Sequence, residues 1–207
     1  MPFVERTRLS RQESRERTRA KLLESAERLF RSRGFHATSV EEIAESAGFS
    51  RGAVYSNFES KEDMFLALMD RWRATVLDVL VSALTPSPET GALDDLSTAI
   101  FFSEKEIREA DWQLAVAEFF VHALRSEPLR RELAAAYMDE REKIAAALEN
   151  KLPEAAPRVG MTTAELASVI AALDTGLGLR RWVDPDSVPP DLFARTVSAL
   201  VEDRTQR

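Results

Sequence analysis

The spacing of apolar residues along the chain is that of an α-helix almost from end to end. From Leu22 to Phe30, apolar side chains recur every three or four positions, which is the pattern of an amphipathic helix. No segment alternates apolar and polar residues between turn signals, so strands are not expected. We predict an all-α protein of about nine helices.

The predicted helices are three short ones, a connecting one and five longer ones. Residues 18–34 form the first. A capping box of Ser39 and Glu42 opens the second, which stops at Gly48. Ser50 caps the third, which runs to about residue 57. The remaining helices are predicted at residues 61–84, 93–110, 111–125, 129–151, 162–183 and 190–203.

The third predicted helix is short and has no acidic residue. Between residues 46 and 58 the only charged side chain is Arg51, although the chain has a net charge of −7. At about 100° per residue, Val54 and Phe58 lie on one side of this helix. A bare opposite face would let the backbone approach another surface, and phosphates would meet no carboxylate there. That face consists of Gly52 and Ser56, flanked by Ala53 and Tyr55.

The charge is distributed unevenly along the chain. Residues 1–61 hold 12 Lys and Arg against 9 Asp and Glu, whereas residues 62–207 hold 16 against 26. The basic excess is concentrated in residues 1–21. A basic end on an acidic body suggests a polyanionic partner for that end alone. A merely solvated, frayed N-terminus remains the alternative.

The composition and motifs exclude several other classes of protein. The chain has no cysteine and only two histidines, so thiolate or histidine-rich metal sites are not expected and the composition fits a reducing cytoplasm. No apolar run is long enough to span a membrane, and the Arg-rich N-terminus is not a secretory signal. We find no phosphate-binding loop and no nucleophile with a nearby base. We therefore expect no enzyme activity, catalytic residue, metal site or cofactor.

Residues 38–68, TSVEEIAESAGFSRGAVYSNFESKEDMFLAL, resemble the TetR family of bacterial transcriptional regulators. The shared pattern is Thr before the second helix, Ile-Ala within it, Gly at the turn, then Tyr-x-x-Phe and Ser-Lys-Glu. The resemblance implies a basic arm over residues 1–17, a helix-turn-helix DNA-binding domain over 18–60, and a helical ligand-binding and dimerisation domain over 61–207.

The resemblance also implies which residues contact DNA. In the family, residues at the start of the second helix contact phosphate and those in the leading half of the third meet base edges. Asn57 departs from the pattern, since an aromatic residue or histidine is frequent there. The expected DNA contacts are Thr38, Ser39, Ser50, Arg51, Gly52, Ala53, Tyr55, Ser56, Asn57 and Lys61, with Arg51 reading guanine.

The rest of the chain is expected to pair with a second copy and to bind a small-molecule effector. The segment 166–179 is apolar and rich in small residues, so the last two helices are the expected homodimer interface. An apolar effector is the default for such pockets. The candidate pocket residues, each of which could instead fill the core, are Trp72, Phe101, Phe102, Trp112, Phe119, His122, Tyr137 and Asp174.

Two functions remain after these exclusions. The first is a ligand-responsive transcriptional regulator, in the family usually a repressor, which binds a near-palindromic operator as a dimer and is released by a small molecule. The second is a helical adaptor or structural protein without sequence-specific DNA binding. The adaptor would need neither an acid-free third helix nor a lysine at position 61, whereas a DNA-binding protein should lose affinity steeply as salt rises.

Overall fold

The computed structural model describes residues 10–83, 110–189 and 191–201. Within these ranges the chain forms nine α-helices and a 3₁₀ turn at Pro185–Ser187, and no strand. The helices are α1 (Arg11–Ala37), α2 (Val40–Ala47), α3 (Arg51–Tyr55), α4 (Lys61–Ala83), α5 (Ala110–Leu124), α6 (Glu127–Lys151), α7 (Ala155–Arg158), α8 (Thr163–Val183) and α9 (Leu192–Val201). The all-α prediction is confirmed, while the predicted helix over residues 93–110 lies almost wholly outside the described residues.

The first helix begins earlier than predicted, at Arg11 instead of residue 18. Ser10 caps it, because its hydroxyl accepts a hydrogen bond from the Glu13 amide while the Glu13 carboxylate accepts one from the Ser10 amide. This capping box satisfies two amides that would otherwise lack a partner. Residues 11–17, expected in a basic arm, are therefore helical, and residues 1–9 lie outside the described ranges.

The helix-turn-helix forms as its capping signals predict. Ser39 and Glu42 make the expected capping box, and Gly48 ends α2 in the left-handed conformation with φ of 74°. The Ser50 hydroxyl accepts a hydrogen bond from the Ala53 amide at 3.3 Å. α3 is only 5 residues long, shorter than predicted.

Two hydrophobic clusters hold the described helices together. The first joins α1–α4 to α5 through a stack of aromatic rings, in which Phe65 lies 4.6 Å from Phe119 and 5.1 Å from Phe30 between ring centroids. Burying each such ring stabilises the fold by about 1.5–3 kcal/mol. The predicted domain boundary after residue 60 therefore does not coincide with a break in the core.

The second cluster joins the end of α6 to α7, α8 and α9. Its centre includes Leu148, Leu166, Ile170 and Val197, all nearly inaccessible to solvent. The short α7 lies in a segment that was predicted as a break. Leu77, near the end of the described side chains of α4, packs against this second cluster, so α4 runs from one cluster to the other.

Candidate nucleic-acid interface

The predicted inward and outward faces of α3 are confirmed. Val54 and Phe58 are buried, and they pack into the first cluster with Ile43 and Ala44 of α2. Gly52, Tyr55 and Ser56 are exposed, and Ala53 is partly exposed. The exposed face of α3 is therefore small and carries a single long cationic side chain, Arg51.

Arg51 forms an ion pair with a carboxylate of a different helix, α2. Its Nη1 lies 2.8 Å from Oε1 of Glu41 in α2, and both side chains are more than half exposed. Its Nη2 donates a long hydrogen bond of 3.5 Å to the Tyr55 hydroxyl. That hydrogen bond, with the nearby Glu41, raises the pKa of Arg51 above its ordinary value. Residues 46–58 thus contain no acidic residue, but the carboxylate of Glu41 in α2 lies beside them in the folded protein.

Gly52 is not required by the fold of α3. A methyl group at this position would have Ser50 Oγ as its nearest neighbour, at 3.7 Å, which is ordinary van der Waals contact. The residue lies inside a helix and not in the left-handed region. Its absent side chain leaves clearance on the outward face.

Two of the expected phosphate contacts have internal partners instead. The Thr38 side chain is buried, and its hydroxyl donates to the Gly34 carbonyl at 2.8 Å. Lys61 Nζ donates to the carbonyls of Phe35 and Thr38 at 2.9 and 3.0 Å, and burial lowers the pKa of Lys61. In this structure both residues bind carbonyls at the end of α1, and direct phosphate contacts by Thr38 and Lys61 stay predictions.

Ser39 and Asn57 are also occupied in this structure. The Ser39 hydroxyl belongs to the capping box of α2, and the pair of hydrogen bonds from Ser39 lowers the pKa of Glu42. Asn57 Nδ2 donates to the Ala53 carbonyl at 2.8 Å and to the Ser56 hydroxyl at 3.3 Å. The Asn57 amide therefore stabilises the end of α3 in this structure, and its contact with the DNA backbone stays a prediction.

Two arginines of α1, which the sequence analysis did not propose as site residues, donate hydrogen bonds to the residues that directly follow α3. Arg15 Nη2 donates to the Ser56 carbonyl at 3.1 Å and Arg19 Nη1 to the Asn57 carbonyl at 2.6 Å. The Arg19 guanidinium also lies 4.0 Å from the centroid of the Phe58 ring. Cations suit the carbonyl end of a helix. The sequence did contain a signal for this role, namely the four-residue spacing of Arg11, Arg15 and Arg19 on a helix that Ser10 caps.

The same arginines line a shallow groove beside α3. The groove encloses about 650 Å³ between α1 and the end of α3. Its charged side chains are three arginines and one glutamate, so it is basic. It is lined by Arg11, Gln12, Arg15, Glu16, Arg19 and Asn57.

The expected effector residues that the structure describes divide between the first hydrophobic cluster and positions outside it. Trp112 and Phe119 are buried in the aromatic stack of the first cluster, as the core alternative predicted. His122 lies where α5 meets α4, with Nε2 3.3 Å from Oε1 of Glu62. Asp174 is exposed on α8, and Trp72 is partly buried against the first cluster. Phe101 and Phe102 lie outside the described residues, and Tyr137 lies near Arg73.

Within residues 10–83, 110–189 and 191–201, no three His, Asp or Glu side chains are grouped as metal ligands. No helix in the same ranges combines the length and apolar character that crossing a membrane requires.

The chain matches family models over most of its length. Residues 22–68 match the model described as bacterial regulatory proteins of the tetR family. Residues 92–206, more than half of the chain, match the model of the BetI-type transcriptional repressor C-terminal domain.

Curated relatives match part of the chain. The HTH-type transcriptional regulator YfiR of Bacillus subtilis is 31% identical over 128 residues, or 60% of each chain. The HTH-type transcriptional regulator TtgR of Pseudomonas putida is 42% identical over 73 residues, 35% of this chain and 33% of TtgR. The match thus spans about three fifths of the first relative and a third of the second.

Solved structures share the fold over most of the chain. A putative transcriptional regulator from Pseudomonas aeruginosa superposes with a TM-score of 0.67 at 24% identity, covering 96% of this chain and 93% of that one. SmeT, the repressor of the Stenotrophomonas maltophilia multidrug efflux pump SmeDEF, in complex with triclosan, gives 0.63 at 25% identity, covering 91% and 93%. The helix-turn-helix, the all-α body and the match over residues 92–206 together show that this chain belongs to the TetR family of bacterial transcriptional regulators.

Proposed function

We propose that this protein is a transcriptional repressor that binds a near-palindromic operator as a homodimer and is released by a small molecule. The observation that carries the proposal is the exposed face of α3. It presents Arg51 and three small residues, while Val54 anchors the helix in the core. A face of this shape suits the major groove, where an arginine can pair with guanine O6 and N7.

The ion pair between Arg51 and Glu41 does not prevent that contact. A pair between exposed side chains contributes about 0–1 kcal/mol, whereas a good bidentate contact to guanine is worth about 1–3 kcal/mol of discrimination. Arg51 can therefore exchange Glu41 for a base.

The phosphate contacts are proposed to differ from those expected. Since Thr38 and Lys61 have internal partners, we assign the DNA backbone to exposed groups beside α3. The candidates are the Tyr55 hydroxyl, Ser50, Ser56 and the basic groove of α1 that contains Arg11. Phosphate contacts of this kind set the docking orientation of the helix and carry no sequence information themselves.

Dimerisation is proposed through α8 and α9. One side of α9 is buried against α8, but α8 keeps a second apolar stripe exposed. The stripe follows steps of three and four residues along the helix, which is the spacing of a helix-helix seam. Its members are Val169, Ala172, Gly176, Leu179 and Val183.

Release by a small molecule is proposed to act through α4. Its first turns, with Met64 and Phe65, belong to the cluster that holds α1–α3, and Leu77 packs against the second cluster. A ligand that binds one position of α4 more tightly than another would shift the position of α3 in each protomer. The complex of SmeT with triclosan supports a ligand-responsive body for this fold.

The test is selection of binding sites from random DNA by the full-length protein, followed by a gel shift at two salt concentrations. A near-palindrome should emerge, and its affinity should fall steeply as salt rises, because bound phosphates release counterions. An adaptor protein would enrich no site. If no sequence is enriched and no salt-dependent shift appears, the proposed function is wrong.

Arg51→Ala tests which group reads the bases. We expect its selected sites to lose preference at one symmetric pair of positions, with discrimination reduced by about 1–3 kcal/mol. Arg131→Ala, which removes an exposed arginine on α6, is the matched control and should keep the preference. If Arg51→Ala weakens all sequences equally, Arg51 contacts only phosphate.

A further inference from the structure

A polar cleft lies between α4 and α6, away from the DNA-binding face. It encloses about 470 Å³, within the range of small-molecule sites. Four acidic and two basic side chains line it together with three apolar residues. The lining consists of Asp70, Arg73, Ala74, Leu77, Glu132, Ala136, Asp139, Glu140 and Lys143.

Among the side chains that line the cleft, Arg73 is the least expected, because it is charged and buried. It is only 8% exposed, and its Nη2 pairs with Asp70. Its Nη1 is buried, and within the described parts of the chain no group accepts a hydrogen bond from it. A buried donor without an acceptor costs about 1–3 kcal/mol, and more when the group is charged. Because Arg73 lines the cleft, a small turn of its guanidinium would bring Nη1 to a ligand oxygen, and that hydrogen bond would recover the free energy.

The carboxylates of the cleft divide into paired and unpaired ones. Asp70 pairs with Arg73, and Asp139 pairs with Lys143 at 2.7 Å. Among the described residues, Glu132 and Glu140 have no ion pair within 4 Å. Burial raises the pKa of Glu140, although the Arg73 charge opposes the shift. A cationic group beside Glu140 would favour its charged form.

From this arrangement we infer that the cleft between α4 and α6 binds a small molecule that carries both an oxygen acceptor and a protonated amine. The oxygen accepts from Arg73 Nη1, and the amine donates to Glu140 and Glu132. A purely anionic ligand is disfavoured, because the lining has two more carboxylates than cations. A purely apolar ligand, the default expectation, would leave the Arg73 donor unsatisfied.

Four of the residues that line the cleft belong to one helix. Asp70, Arg73, Ala74 and Leu77 are all on α4, the helix that connects the two hydrophobic clusters. As an effector site the cleft rests on the regulatory function proposed above. Occupancy itself is measured without DNA, so failure to bind the probe and failure to bind an operator are separate results.

The probes are three compounds that share a phenyl ring. Phenylalanine carries both an amine and a carboxylate, phenethylamine only the amine, and 3-phenylpropanoate only the carboxylate. Binding is measured by NMR chemical-shift titration of the full-length ¹⁵N-labelled protein. We expect saturable shifts on α4 and α6 with phenylalanine, weaker ones with phenethylamine and none with 3-phenylpropanoate.

Variants assign the two halves of the site. Arg73→Lys keeps the charge but removes the guanidinium, and should weaken phenylalanine about tenfold or more, the value of a charged hydrogen bond, while leaving phenethylamine unchanged. Glu140→Gln should weaken both amines. Glu142→Gln, an exposed residue on α6 that does not line the cleft, should change nothing.

Several results would overturn the inference. Shifts that do not saturate, shifts on other helices, or equal binding by all three probes would each contradict it. So would wild-type affinity of phenylalanine for Arg73→Lys. A far-UV spectrum and melting temperature for each variant separate loss of binding from loss of fold.

Discussion

At the residue scale, the outward face of α3 combines one long hydrogen-bond donor, the Arg51 side chain, with the absence of a side chain at Gly52. Arg51 can leave Glu41 for a base, since an exposed ion pair is weaker than a bidentate base contact. Gly52 has no steric or conformational need to be glycine, because a methyl group would fit in the free protein. The clearance at Gly52 is therefore best explained by a partner that approaches closely.

Gly52→Ala separates folding from binding at this position. The free energy of unfolding should stay the same or rise by up to about 1 kcal/mol, because alanine is the better helix former. Affinity for the selected operator should fall about tenfold, since overpacking a close contact costs about 1–3 kcal/mol. Urea denaturation and fluorescence anisotropy with labelled DNA measure the two effects.

Gly48→Ala is the matched control for that methyl group. At Gly48 nothing lies near the added Cβ, but the backbone φ of 74° is left-handed and alanine there costs about 1–2 kcal/mol. It should therefore lower stability, which Gly52→Ala does not. Wild-type affinity of Gly52→Ala for the operator would contradict a close approach at α3.

At the element scale, the end of α1 is capped by side chains from two other helices. Gly34 breaks the helix with φ of 82° and ψ of 170°, a region that only glycine populates readily. Glu118 of α5 accepts a hydrogen bond from the His36 amide at 3.0 Å. Lys61 of α4 binds two carbonyls of the same turn. The DNA-binding helices are thereby joined to α5 through polar contacts as well as the aromatic stack.

A double-mutant cycle tests the contact between α1 and α5. Gly34→Ala should lower the free energy of unfolding by about 1–3 kcal/mol from backbone strain, with an added clash, since its Cβ would lie 2.7 Å from the Glu118 carboxylate oxygens. Glu118→Ala removes the clash, so the double variant should be more stable than the sum predicts by at least about 0.5 kcal/mol.

The conservative version of the cycle is its control. Gly34→Ala with Glu118→Gln keeps the side-chain bulk, so it should show no such recovery. Chemical denaturation measures all five variants. Simple additivity in the Glu118→Ala cycle would mean that the carboxylate moves aside at no cost and does not fix the end of α1.

At the scale of the whole molecule, the apolar stripe on α8 is the feature that a single chain leaves unexplained. Its members are all exposed, and Leu179 and Val183 are 53% and 80% exposed. A Cβ on Gly176 would meet nothing within 4 Å, so the fold of one chain does not require glycine there. A second α8 packed at close range would use both properties, and two recognition helices are what a near-palindrome needs.

Leu179→Glu tests the stripe as a dimer interface. We expect the dimer dissociation constant to rise at least about a hundredfold, because an unpaired charge buried in an apolar interface costs about 3–5 kcal/mol. Ala164→Glu, exposed on the same helix but off the stripe, should leave the dimer intact. Sedimentation velocity measures both, and an unchanged Leu179→Glu dimer would place the interface elsewhere.

Signals between residues close together in sequence determined much of the secondary structure of this protein. The capping box of α2, the stop at Gly48 and the inward and outward faces of α3 depend on residues a few positions apart, so the sequence predicts them correctly, whereas α7 lies in a segment predicted as a break. The start of α1 was missed although Ser10 and Glu13 form the same kind of capping box. That error came from treating a basic segment as an arm.

Only the tertiary structure decided the partners of side chains that are distant in sequence. Thr38 and Lys61 bind carbonyls at the end of α1, Glu41 approaches Arg51, and the guanidinium of Arg73 is buried beside a cleft. Helical periodicity reports which face of a helix is apolar, but not which helix lies against that face. The sequence by itself therefore determined most of the described helices and the family, whereas the distances between helices decided which polar groups bind the protein's own backbone and which stay on the surface.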